Sequence, residues 1–409
     1  MKIFFSAGEP SGDLHGANLI RELRRRCPDL EPVGYGGPKM EAAGCQLHED
    51  LTKLAVMWLL RVIVNLDKFW NLASRADRYF RHHKPDAVVL IDYPGFNWWI
   101  ARRAKAHGIP VFYFAPPQVW AWATWRVRKM RRFVDHVLCS MPFEAEWYAQ
   151  RGCNAQFIGH PYFDEVAQQR LDQPFIARQQ AKPGRLVVIL PGSRTQEVEH
   201  NLHWFLKAAE KIHAVEPATR FAIASFKPHQ ADYARRMIAG SKLPIEVHVG
   251  RTGELIHGAE CCLAVSGSVS LELLYHAKPT VIHYHVSKLG NVLQKKFRRV
   301  KYITLVNLLN SQDIFPRQIA PYRDGDPEHA GVLFPEYLTS GDATDEVARH
   351  ALHWLQDDSA RKKRVGELRA LRDRIAHGGA TNRAADRIVE VLAARQPPEI
   401  RTHYRPRAA

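Results

Sequence analysis

Four segments of this 409-residue chain set polar side chains beside glycine or serine just after an apolar run. The first is Gly8-Glu9-Pro10-Ser11-Gly12-Asp13, behind Ile3-Phe4-Phe5. Its glycines admit close backbone approach, and Glu9, Ser11 and Asp13 can act on whatever approaches. It is neither GxGxxG nor a P-loop, so the two commonest nucleotide motifs are missing where they would sit. The second, Asp92-Tyr93-Pro94-Gly95-Phe96-Asn97, follows Ala87-Val88-Val89-Leu90-Ile91. A carboxylate ending a buried strand can be desolvated, which raises its proton affinity toward that of a general base. An Asp before Pro-Gly can equally cap a turn. The third, Pro191-Gly192-Ser193-Arg194, offers a phosphate two parallel guanidinium donors, or else an N-capping Ser193 with a surface Arg194. The fourth is Ser266-Gly267-Ser268-Val269-Ser270-Leu271-Glu272. Its small residues leave backbone N–H groups open to a diphosphate, and Glu272 can hold ribose hydroxyls; the same run can also cap a helix.

The elements that must position these segments alternate between strand and helix. Apolar runs predict strands at 3–5, 86–92, 110–114, 134–140 and 157–161, with a loop over 8–16 and a helix from Leu14 to about Arg26. A polar, Gln-rich linker is expected over 162–184. Strands follow at 186–190, 221–225, 245–249, 261–265 and 280–284, with helices between them. The fold class is therefore α/β: two facing Rossmann-like, doubly wound domains, then a C-terminal helical segment. The expected bounds are 1–165, 166–345 and 346–395, with a Pro-containing disordered tail over 396–409. In such sheets ligands bind outside the carboxyl ends of the strands, where all four segments fall.

Composition narrows the function. A net charge of +16 asks for an anionic partner: phosphorylated substrate, acidic lipid or nucleic acid. No RNA- or DNA-binding motif accompanies the charge, so no nucleic acid is expected. Six cysteines without CxxC spacing indicate unpaired thiols in a reduced compartment, with Cys261-Cys262 packed in a strand. No signal peptide precedes the first strand, and no run reaches the roughly 18 apolar residues of a membrane span. The expected location is cytoplasmic, at most against a membrane surface.

An ordered set of motifs carries a resemblance over about residues 1 to 395. To the segments above it adds Gly36-Gly37-Pro38-Lys39-Met40, Gly44-Cys45, Leu54-Ala55-Val56-Met57 and Gln118-Val119-Trp120-Ala121-Trp122. Pro142-Phe143-Glu144 and Phe157-Ile158-Gly159-His160-Pro161 continue it. With these the chain resembles the lipid-A-disaccharide synthase family, glycosyltransferases of the GT-B type. The resemblance implies transfer of diacylglucosamine from UDP-2,3-diacylglucosamine to the 6-hydroxyl of 2,3-diacylglucosamine 1-phosphate (lipid X), releasing UDP. An α-linked donor and a β-linked product imply inversion in a single displacement. Asp92 matches the family's aspartate and is the expected base. Ser11 and Asp13 join it on the catalytic side, with Glu9 and Gly12 facing the acceptor.

On the donor side the resemblance implies Gly192, Ser193 and Arg194 at the phosphates, with Ser266, Gly267 and Ser268. It adds Glu272 at ribose and Asn307 near the diphosphate. No Asp-x-Asp element is placed to hold a cation, so neither metal nor cofactor is expected. One departure stands out. Asn307 and Phe334-Pro335-Glu336-Tyr337-Leu338 are separated by an insertion at about 311–333, and Thr339 stands where the family has Gln.

The run Leu54 to Leu72 is crowded with large apolar residues and by itself reads as a core helix. Acylated substrates turn Met57, Trp58 and Val62 into expected lipid contacts. Trp120, Trp122 and Trp125, with Arg126, Arg128 and Lys129, form a second aromatic and basic cluster, read equally as core or as membrane surface. The resemblance extends to peripheral association with the inner face of the inner membrane and to a homodimer. Two other readings stay open: another UDP-sugar enzyme on this fold, such as an epimerase or a transferase to a different acceptor, and a non-catalytic nucleotide-sugar or lipid-binding protein.

Overall fold

A computed structural model describes residues 1–55 and 66–395. Met57, Trp58, Val62 and the expected tail lie outside the described residues. The chain forms two units: Met1–Asp164 with the chain from Gly378 onward, and Glu165–His377. The helical segment expected over 346–395 divides at that point. Helices Thr344–Gln356 and Asp358–Ile375 belong to the second unit, and helix Ala380–Arg395 to the first.

In the first unit the strands are β1 (Lys2–Ala7), β2 (Glu31–Gly36), β3 (Gln46–Asp50), β4 (Ala87–Ile91), β5 (Val111–Phe114), β6 (His136–Cys139) and β7 (Ala155–Phe157). They form one parallel sheet in the order β3-β2-β1-β4-β5-β6-β7. β4 is Ala-Val-Val-Leu-Ile, buried throughout, as a central parallel strand covered on both faces requires. Ile3, Phe5, Ala7, Val89 and Ile91 share a core with Leu19, Ile20 and Leu23 of helix Pro10–Arg26. Ala384, Ala385, Ile388 and Leu392 of the last helix complete it. That helix is tied down at its start by Asp164, whose carboxylate accepts from the N–H groups of Gly379 (2.6 Å) and Thr381 (2.9 Å).

The second unit holds β8 (Leu186–Leu190), β9 (Arg220–Ser225), β10 (Ile245–Val249), β11 (Cys261–Ala264), β12 (Thr280–His285) and β13 (Glu336–Thr339). They too are parallel, in the order β10-β9-β8-β11-β12-β13. Helices Thr195–Val215 and Thr344–Gln356 supply Leu202, Phe205, Val347 and Trp354 to its core. Cys261 and Cys262 are free and buried in β11.

Several sequence expectations need correction. The first helix begins at Pro10, so Ser11, Gly12, Asp13 and Gly16 lie on its opening turns and not in a loop. Proline suits that place because its fixed φ is helical and its missing N–H would have had no partner. β2 contains Pro32, Gly34 and Gly36, and β3 is polar, so neither shows an apolar run. The strand expected over 157–161 ends at Phe157, and Pro161 opens a helix to Gln168. The expected linker also holds a second helix, Gln173–Gln180, capped by the Asp172 side chain.

Burial holds several histidines neutral. His283 in β12 is enclosed by Trp204 and Phe205, and neither ring nitrogen has a hydrogen-bond partner among the described residues. Burial, reinforced by His285, pushes it down to about 4. Burial likewise lowers His276 and His350 to about 4, and His160 to about 3. The unfolded chain takes up these protons near pH 6.5 whereas the folded chain resists, so stability is full above that pH and falls as pH drops below it. Urea titrations between about pH 6.5 and 4 should show a falling midpoint, and His283→Phe should flatten that fall by removing one such site.

Candidate active site

Each sheet reverses its winding once. In the first unit this happens between β1 and β4, which pair in parallel with Ala7 opposite Ile91. The crevice outside the carboxyl ends of such a pair is where open α/β sheets bind ligands. Gly8 and Glu9 leave β1 there, and Asp92 and Tyr93 leave β4.

Asp92 and Tyr93 both take the left-handed backbone conformation, φ +44° and +47°. Each such residue costs on the order of 1–3 kcal/mol and persists only where its surroundings impose it. Here the Asp92 carbonyl accepts from the Tyr113 hydroxyl (2.7 Å) and the Asn97 amide (2.7 Å). The same amide nitrogen reaches the Ser6 carbonyl (3.2 Å) and the Ile91 carbonyl (3.3 Å). The Asn97 oxygen accepts from the Ser6 hydroxyl at 2.6 Å. Burial first and Asp92 second push the Tyr113 phenol well above its ordinary value, so it stays a donor. Of the five described non-glycine residues with positive φ, Asp92, Tyr93 and Ala115 follow β4 or β5. Strain therefore concentrates at one edge of the sheet.

The opening segment folds against this corner. A Cβ on Gly8 would lie 2.3 Å from the Tyr93 ring, so only glycine lets that ring close over the turn. Burial, with the Glu9 carboxylate adding to it, raises the Tyr93 phenol to about 12. Ser11 is exposed on the first helical turn, and Gly12 is buried against Ile91. Asp13 is engaged by the loop that follows β2. It is buried, and its oxygens accept backbone N–H groups from Gly37 (2.9 Å), Lys39 (3.0 Å) and Met40 (3.0 Å). Its carboxylate caps helix Pro38–Ala42, which makes it a support for the loop.

The tryptophan cluster divides. Trp120 is buried and donates to the Glu144 carboxylate at 2.8 Å, whose other oxygen accepts from Ser140 N–H at 2.9 Å. Burial raises Glu144 to about 7. Nothing in its composition marks Glu144 as a buried acid except that it follows Pro-Phe at the start of a helix. Trp122 and Trp125 are exposed, their rings edge to face at 6.3 Å, with Arg126 above Trp122 at 4.9 Å. A second exposed pair, Trp70 and Trp99, meets at 5.5 Å with Arg103 over both rings.

In the second unit the reversal falls between β8 and β11, with Leu190 opposite Ala264. Gly192, Ser193 and Arg194 follow one strand, and Ser266, Gly267 and Ser268 the other. Gly192 has φ +132°, and a Cβ there would lie 2.4 Å from the Glu197 Cβ. Glu197 accepts from Ser193 N–H (3.1 Å) and Arg194 N–H (3.2 Å), fixing the start of helix Thr195–Val215. The Arg194 guanidinium is exposed and meets Glu197 at 3.5 Å. A Cβ on Gly267 would meet nothing within 4 Å, so that backbone is open to approach. The Ser266 hydroxyl donates to the Ile303 carbonyl at 2.8 Å, and Glu272 is buried one turn beyond Ser268.

Asn307 is joined directly to the motif across the insertion. Its amide donates to the Phe334 carbonyl (2.7 Å) and to Glu336 (2.9 Å), and its oxygen accepts from Leu333 N–H (3.2 Å) and Phe334 N–H (3.0 Å). Both amide hydrogens and the oxygen are thus engaged within the protein, and a phosphate would have to displace them. Glu336, which no motif singled out as a buried acid, also accepts from Ile303 N–H (2.7 Å) and Thr304 N–H (3.1 Å).

Comparison with known proteins bears on the family and the fold. Residues 3–352 match the family model described as lipid-A-disaccharide synthetase. The lipid-A-disaccharide synthase of Geobacter sulfurreducens is 31% identical over 402 residues, covering 96% of this chain and 97% of that protein. Among solved structures, the S. aureus MnaA–UDP co-structure has a TM-score of 0.64 at 12% identity, covering 97% of this chain and 98% of that one. The calicheamicin glycosyltransferase CalG4 has a TM-score of 0.57 at 15% identity, covering 97% and 99%. These likenesses establish the fold; the family model and the relative establish more, and the chain belongs to the lipid-A-disaccharide synthase family.

Proposed function

We propose that this chain, a lipid A disaccharide-forming glycosyltransferase, joins UDP-2,3-diacylglucosamine to 2,3-diacylglucosamine 1-phosphate, with Asp92 as base and Arg194 at the leaving diphosphate. The observation that carries the assignment is the pinned, left-handed corner at Asp92, where backbone strain is met by Asn97 and Tyr113. In the reaction Asp92 takes the proton from the acceptor 6-hydroxyl as its oxygen attacks the donor's anomeric carbon. The bond from that carbon to the β-phosphate oxygen breaks, and its electron pair leaves with UDP. Arg194 and the N–H groups of Ser266–Ser268 meet the charge that develops there, while Glu272 holds the ribose. Ser11, Gly12 and Glu9 line the acceptor side, and Asp13 and Asn307 position the loops.

The exposed pairs Trp70–Trp99 and Trp122–Trp125, each with an arginine over an indole, support a peripheral seat on an anionic membrane face, taken as the inner face of the inner membrane. Among the described residues no helix is long and apolar enough to cross a membrane. The family resemblance adds a homodimer, which light scattering checks directly.

Asp92→Asn, which keeps the shape and tolerance for left-handed φ, should lower kcat at least about a hundredfold. Arg194→Ala should lower kcat/KM on a similar scale and weaken competitive inhibition by UDP. Tyr113→Phe removes one restraint on the Asp92 carbonyl and should reduce kcat by about tenfold with little change in KM. Purified protein given both lipid substrates and EDTA should form disaccharide and release UDP at the untreated rate. UDP-sugar consumption without the lipid acceptor would favour a different UDP-sugar activity.

A further inference from the structure

Helix Lys288–Phe297 is mounted with its apolar face outward. Leu289, Val292, Leu293 and Phe297 are 70%, 63%, 46% and 39% exposed, and no residue of the helix is buried. Their spacing of three, four and eight places them on one stripe. The polar side faces the protein: Asn291 donates to the Ser340 hydroxyl at 3.3 Å, and Gln294 donates to the Asn291 oxygen at 2.8 Å. A helix lying on a soluble protein ordinarily turns its apolar stripe inward, as Ala380–Arg395 does in the first unit. Ser287 caps the first turn through Gly290 N–H at 3.0 Å, and the Asn291 bond to Ser340 sets which side faces the protein.

Charge selects what covers this face. Lys288, Lys295, Lys296 and Arg299 are exposed around the stripe. Lys288 and Lys295 flank it on one side; Lys296 falls among the apolar residues, where its long stem lets the ammonium reach outward. Residues 273–312 contain seven Lys or Arg and no Asp or Glu. A second copy of a chain with net charge +16 is a poor match for such a surface. A bilayer with anionic headgroups satisfies both features, taking the apolar stripe at the acyl boundary and the ammonium groups among the phosphates.

We infer that helix Lys288–Phe297 of the second unit is an interfacial helix that inserts its Leu289, Val292, Leu293 and Phe297 stripe into an anionic lipid surface. This goes beyond the proposed reaction and requires nothing of it. It adds a membrane contact on the nucleotide-sugar unit to the tryptophan pairs of the first.

The test is co-sedimentation of the full chain with vesicles of phosphatidylcholine containing roughly 30% phosphatidylglycerol, beside vesicles of phosphatidylcholine alone. The triple change Leu289→Ser, Val292→Ser and Leu293→Ser should lower the partition coefficient on anionic vesicles at least about tenfold. A charge variant, Lys288→Gln with Lys295→Gln and Lys296→Gln, should reduce the preference for anionic vesicles, as should about 0.5 M salt for the unchanged chain. Circular dichroism melts matching the unchanged chain show that both variants fold. Unchanged partitioning of the folded triple variant overturns the inference. So does a dimer that the triple change splits to monomers while vesicle binding persists. Because no turnover is measured, failure here is separate from failure of the proposed reaction.

Discussion

The Asn97 side chain bridges the point where the first sheet reverses direction. One buried amide donates toward the carbonyls of Ser6, Ile91 and Asp92 and accepts from the Ser6 hydroxyl. β1 and β4 pair in parallel up to Ala7 and Ile91, and Asn97 carries the link past the end of that ladder to the Asp92 carbonyl. In a site removed from water each such bond is stronger and each unmade one costs more, so the group behaves as a unit. The left-handed corner at Asp92 is held by that tie and by Tyr113, while the pairing of β1 with β4 brings Gly8 under the Tyr93 ring.

The second unit also uses buried asparagines, though at β12 and β13 and not at its own reversal between β8 and β11. Asn201, buried in helix Thr195–Val215, donates to the Glu197 carbonyl and accepts from His285 N–H at the end of β12. Asn307 does the same between its helix and β13. An asparagine carries two donors and an acceptor without charge, which suits a dry junction where a helix meets a strand tip. Two carboxylates sit at comparable junctions and are met there by donors. Asp13 takes three backbone N–H groups, and Glu336 takes two together with the Asn307 amide. Each holds a loop near the carboxyl ends of the strands, so these polar groups help to keep that edge in shape.

Exposed aromatic and aliphatic groups divide along similar lines. Trp120 lies in the core with its indole N–H on Glu144, while its neighbours Trp122 and Trp125 are exposed, with Arg126 over the Trp122 ring. One short stretch thus contributes to packing and to surface chemistry, and composition alone treats its members alike. The same contrast separates helix Ala380–Arg395, apolar face inward, from Lys288–Phe297, apolar face outward. Periodicity shows that a stripe exists; only the neighbours show which way it turns.

What the sequence by itself determined was the α/β class, the strands with continuous apolar runs, and the four segments at strand ends. Apolar burial on both faces of a parallel sheet leaves a pattern that needs no partner to read, and the motif order identified the family. Strands interrupted by proline or glycine, or polar like β3, left no such pattern and emerged only from pairing. The tertiary structure alone decided which polar groups are spent on support and which remain at the surface. Asp13 accepts from the Gly37 N–H and Asn307 donates to the Phe334 carbonyl, partners 24 and 27 residues away along the chain. Hydrogen-bond partners so distant in sequence are fixed by how the chain closes on itself, and no local pattern records them.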